Sequence, residues 1–228
     1  MKNQFYSIRK SIALFSFILC LHSCAPVNSI YDNAKLIEKG KSKFIASVTK
    51  YKSSGKNEND ERVSQNLQNN LGIAYTYGLS DKVNLSARYE NLKYSTVDYV
   101  NGQWVSVKGT EHYISLAAKL RIKNEKMALY LPLEIYTGNV SIAPQFFYTG
   151  NLKTNKIDYT VAPKLIIPLG ENLKENGYVP LLGMNLGMGF SGNIAKYAIR
   201  PEIGILLNPK RSFTNFNYNF GLGLTINI

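Results

Sequence analysis

Cysteine is almost missing: the 228 residues hold two, Cys20 and Cys24. Cys20 lies inside an apolar run at the amino terminus, so a chain that loses this run keeps one thiol and has no disulfide framework. Histidine is as scarce. Without the leader only His112 remains, too little for a site built on a histidine pair, and no metal or cofactor is expected. Acids are few, 15 against 27 bases, for a formal charge of +12. Removing Lys2, Arg9 and Lys10 with the leader, which has no acid, leaves 12 − 3 = +9. These bases scatter over turns and alternate positions without forming a stripe. That argues against nucleic acid and for a surface facing anionic lipid headgroups or lipopolysaccharide phosphate. A long hydrophobic run is also missing. Ile12–Leu21 is about ten residues, where a bilayer-spanning helix needs about 20, so with the basic residues before it this run reads as a signal peptide over residues 1–23.

What the chain has is alternation. Between Asn70 and Glu90, Leu71, Ile73, Tyr75 and Tyr77 share one face, then Val83, Leu85, Ala87 and Tyr89 after the short Gly78–Lys82 turn. A period of two across a tight polar turn is a β-hairpin, and the unit repeats. Ten strands are expected, from Ser42–Lys52 to Asn215–Ile228, with a polar loop over Ser53–Gln65 and the weakest pattern over Val140–Thr149, where Pro144 intrudes. Their length suits tilted transmembrane strands, which need about 9–11 residues, and short turns alternate with longer loops. The expected fold is all-β: a closed antiparallel up-and-down transmembrane barrel over residues 41–228. Residues 24–40 form a tether beneath it, with one helical turn at Ala34–Lys39 stopped by Gly40.

Charges recur in mid-strand on the face opposite the apolar one: Arg88, Glu90, Lys119, Arg121, Glu134, Asp158, Lys164, Arg200 and Glu202. A sandwich core holding so many would leave buried charges unpaired, whereas a narrow barrel pairs them across its lumen. They read as a salt-bridged interior, with a small polar pore as the alternative. Asn101-Gly102, flanked by Tyr99 and Trp104, is a strong hairpin signal well beyond the membrane edge. A protruding ribbon carrying Tyr94, Tyr99 and Trp104 follows, a candidate surface for an extracellular glycan or protein. Gly187-Met-Gly189-Phe-Ser-Gly192 matches G-x-G-x-x-G, but a strand follows it instead of a helix, and inward glycines relieving crowding at a bend explain it better. Glu111, Tyr113 and Ser115 share a face that His112 does not, so no catalytic triad forms and no enzyme activity is expected. Two other readings stay open: a hydrolase with His112 at the barrel rim, and a soluble lipocalin-like cup with the Leu116/Leu182/Leu222 face turned inward.

Leu21-His22-Ser23-Cys24 resembles a bacterial lipobox, which implies cleavage before Cys24 and its acylation. An acidic run after the cysteine, which resembles a surface-export signal in lipoproteins of Bacteroidetes-like bacteria, is not present, so a periplasmic anchor is implied. The alternation, ending in Phe220–Ile228, resembles small outer-membrane β-barrel proteins of Bacteroidetes-type bacteria. It departs from them at Ile228, where such barrels usually end in an aromatic. The resemblance implies an outer-membrane location with both termini periplasmic, contact with outer-membrane lipid and lipopolysaccharide, and insertion by the barrel-assembly machinery.

Overall fold

The computed structural model describes residues 27–56, 62–100, 103–136, 139–152, 156–169, 179–209 and 216–228. Alternating apolar residues set the strands: β1 (Ser42–Lys56), β2 (Arg62–Ser80), β3 (Val83–Val100), β4 (Gln103–Lys123), β5 (Met127–Tyr136), β6 (Asn139–Ile142), β7 (Gln145–Asn151), β8 (Ile157–Leu169), β9 (Leu181–Phe190), β10 (Tyr197–Leu207) and β11 (Phe216–Asn227). Each pairs antiparallel with its sequence neighbours, except that β6 and β7 each pair with β5 and β8 instead of with one another, and β1 pairs with β11 from Lys43↔Asn227 to Ser54↔Phe216, which closes the ring. β6 and β7 are one stave interrupted at Ala143-Pro144, so the barrel has ten. Pro144 cannot donate to a ladder, and the stave continues past it through Ala143 N–H to Pro132 O and Leu165 N–H to Pro144 O.

The apolar face points outward. Leu116, Leu182 and Leu222 are 58%, 48% and 47% exposed, while Lys119, Asn185 and Asn219 on the opposite parity are buried. This orientation rules out the inward-facing apolar cup, and a continuous apolar belt is the surface of a transmembrane barrel. One mouth carries the short turns around Asp81–Lys82, Asn124–Lys126 and Ser191–Lys196; the other carries the ends of β1–β2 and β3–β4 and the longer connections.

One expectation about length is corrected. Ser53–Lys56 and Arg62–Gln65 are strand and pair as Gly55↔Val63 and Lys56↔Arg62, with a register shift at Tyr51/Lys52. β3 leaves β2 after Gln68↔Tyr94 but stays with β4 to Val100↔Gln103, so a two-stranded ribbon projects from the barrel. Asn101 and Gly102 lie outside the described residues.

The largest correction concerns the tether. Val27 to Ala34 are all buried, inside the barrel. Val27 packs on Leu92 and Tyr113 near the long-loop mouth. Thirteen residues later Gly40 N–H donates to Gly78 O at the short-turn mouth. The segment therefore threads the lumen from one mouth to the other. Ala34–Lys39 forms no helical turn, because its polar groups are taken up by the wall, and Gly40 has a φ of 78°. Ile228 N–H bonds Ser42 O at the short-turn mouth, so Val27 and Ile228 lie at opposite ends of the barrel.

Candidate functional site

The lumen is the chemically distinctive part of the molecule. Strand alternation places one charged side chain after another on the inner face, and burial forces each to find a partner. Arg200 makes a two-pronged contact with Asp158, at 2.8 and 2.9 Å. Lys164 Nζ donates to Glu134 Oε1 at 2.9 Å, and Glu134 also accepts from Tyr113 Oη and Ser141 Oγ. Arg88 pairs with Glu90, which accepts from Asn70 Nδ2 as well.

The threaded segment completes this network. Asp32 takes Lys43 Nζ at 2.5 Å and Lys119 Nζ at 2.6 Å. Counting it, five buried bases (Lys43, Arg88, Lys119, Lys164, Arg200) face five buried acids (Asp32, Glu90, Glu134, Asp158, Glu202) among the described residues. The segment makes no sheet, so its backbone is satisfied by side chains. Glu202 accepts Ile30 N–H at 2.9 Å and Tyr31 N–H at 2.8 Å through its two oxygens. Tyr51 Oη accepts from Asn28 N–H and Ser29 N–H, and Thr149 Oγ1 from Ala34 N–H. In the other direction Arg88 donates to Ser29 O, Lys164 to Val27 O and Lys119 to Asn33 O. Asn28 is locked between Asn185 and Asn219.

Room for this comes from glycine. A Cβ on Gly223 would stand 2.6 Å from Tyr31 Cβ, and one on Gly204 2.7 Å from Asn28 Nδ2. The inward glycines of β10 and β11 thus make space for Asn28 and Tyr31. Gly189, within the G-x-G-x-x-G match, accommodates the Asp158–Arg200 pair.

Of the nine interior charges expected from sequence, eight are buried in the lumen; seven are ion-paired as above, and Glu202 is held by backbone N–H groups of the threaded segment. Arg121 sits half-buried at the short-turn mouth. Sequence reasoning missed Asp32, Lys43, Tyr51 and Asn28. Lys43 was accessible to it, since it alternates with Phe44, Ala46 and Val48; Asp32 carries no periodic signal. Tyr94 is corrected: it turns inward onto the Val27 cluster and covers Gly109 instead of standing free on the ribbon. The side chains of Tyr99 and Trp104, and all of Cys24, lie outside the described residues. His112 faces outward, with its Nδ1 2.8 Å from Tyr89 Oη, away from Glu111 and Ser115.

No family model and no curated protein matches the chain. Among solved structures, the COG4313 outer membrane channel from Pseudomonas putida F1 superposes with a TM-score of 0.53 at 9% identity, covering 86% of this chain and 98% of that one. The fold is that of an outer-membrane β-barrel. The translocator domain of autotransporter NalP from Neisseria meningitidis gives a TM-score of 0.45 at 8% identity over 83% of this chain and 89% of that one. Neisserial surface protein A gives 0.35 at 11% identity over 82% and 99%.

Proposed function

We propose that this protein is a lipid-anchored outer-membrane barrel sealed by its own N-terminal segment, with a structural or recognition role and no catalytic one. The observation that carries this reading is the bonding of residues 28–34 to Glu202, Tyr51, Arg88, Lys119 and Thr149, which leaves the lumen occupied along its axis. Ten staves enclose little more than their own side chains, and a strand-like segment fills the remainder. Function then falls to the surface. Among the described residues the β3–β4 ribbon extends furthest from the barrel, and an extracellular glycan or protein is its proposed partner.

The threading direction bears on the anchor. Three extended residues reach about 10 Å, while the short-turn mouth lies about 23 Å from Val27, taking nine strand residues at a barrel tilt. An acyl group on Cys24 would thus enter the leaflet at the long-loop end, which in this barrel class is the outer one. Planar-bilayer recordings test the seal. The full chain is expected to show no channel steps and a chain lacking residues 27–39 to show them. Steady conductance by the full chain would overturn the sealed reading. Mass spectrometry of the mature N-terminus tests the anchor, with acylation lost in Cys24→Ser.

A further inference from the structure

At the long-loop end, the outward-facing charge among the described residues is gathered on one side of the barrel. Lys50 pairs across the sheet with Asn69, Asn69 with Lys93, and Lys93 with Thr110, a row that crosses four strands. Lys108, opposite Ser95, stands one step higher on the same face. Lys93 and Lys108 are exposed and Lys50 is half-buried, while their chain neighbours Thr49, Tyr51 and Leu92 point inward. Lys52, the next base along β1, lies over the Phe220 ring, 5.9 Å from its centroid. Among the described residues no acid faces outward on this part of β1–β4; Glu90 is buried and Glu111 belongs to the inward parity. Around the rest of the barrel the corresponding outward positions are apolar, as with Ile135, Ile205 and Phe220.

The row lies just above lipid-facing residues, since Val48 and Leu71 pair with each other immediately below Lys50 and Asn69. Two hollows meet there. One of about 410 Å³ is bordered by Asn69, Lys93, Lys108 and Thr110. The other, about 1010 Å³, starts at Lys50, Leu71 and Lys93 on β1–β3 and runs around the apolar wall of β8–β11 past Leu222, Ile203 and Val161. We propose that this wall of β1–β4 binds an anionic membrane lipid, with its phosphate groups on Lys50, Lys93 and Lys108 and its acyl chains in the apolar hollow beneath. A soluble polyanion would satisfy the lysines but leave the hollow at the height of Val48 and Leu71 empty. A phosphorylated lipid occupies both. The inference rests on the transmembrane reading and adds a partner to it.

The test uses the refolded chain in phosphatidylcholine nanodiscs doped with bisphosphorylated lipid A, or with the dephosphorylated form, and counts retained lipid by native mass spectrometry. Preferential retention of the phosphorylated form is expected, and it should fall about tenfold or more in K50Q/K93Q/K108Q, because each lysine at a membrane surface contributes to anionic-lipid attraction. A second triple at the short-turn mouth, K82Q/K126Q/K156Q, should keep the preference. Equal loss in both triples, or no preference in the unaltered chain, would overturn the proposal. Both triples should keep the migration shift between unboiled and boiled samples; its loss would count against the barrel reading instead.

Discussion

The two halves of the lumen wall solve the same packing problem in opposite ways. On β9–β11 most inward positions are short, Gly183, Asn185, Gly187, Gly204, Asn219, Gly221 and Gly223, with Arg200 and Glu202 the long exceptions, and the threaded segment lies directly on that surface. On β3, β4, β5 and β8 they are long and charged, with Arg88, Lys119, Glu134 and Lys164 reaching towards the segment or one another. Short inward residues show where a second piece of chain runs, and long ones show how it is held. Neither half forms a complete interior alone. The glycine side would be hollow without Tyr31 and Asn28, and the charged side would have Lys119 and Lys43 without an acid if Asp32 were withdrawn.

The comparison can be broken most severely from the charged side. Asp32→Ala strands two buried ammonium groups and is expected to cost about 3–5 kcal/mol, read as a lower urea midpoint for the refolded barrel in micelles. On the glycine side, Gly223→Val pushes against Tyr31 and should cost about 1–3 kcal/mol while making the threaded segment more open to protease. Gly187→Ala is the matched control: its Cβ would meet nothing closer than 3.8 Å, so stability should stay within about 0.5 kcal/mol. Arg200→Lys keeps the charge but loses the two-pronged contact with Asp158, and about 1–2 kcal/mol should follow. An Arg200→Lys variant as stable as the parent would mean that charge alone, without geometry, holds that wall.

Much of the barrel was legible in the sequence because a membrane imposes one rule on every stave. Lipid outside and polar groups inside produce strict alternation, so Phe216 to Ile228 and Ile114 to Ile122 could be assigned to faces directly. The rule lapses above the membrane. Ser53–Lys56 and Arg62–Gln65 are mostly polar and show no alternation, and their strand character was lost for that reason. The threaded segment was illegible for a related reason. Residues 27–40 make no ladder, so no period marks them, and their bonds go to wall residues 11 to 191 positions away. The glycines were noticed but read as easing a bend, since nothing local shows that an inward glycine faces Tyr31.

The most direct test of a threaded lumen is a cross-link between segment and wall. Ala34 N–H lies 2.8 Å from Thr149 Oγ1, so cysteines at both positions, with Cys24→Ser and the leader removed, should join on mild oxidation of the folded barrel. Cleavage at Met127, which separates the two positions, would then leave the fragments joined until reductant is added. Fragments that separate without reductant, from a barrel that still shows its heat-dependent migration shift, would place the segment outside the lumen and contradict the account.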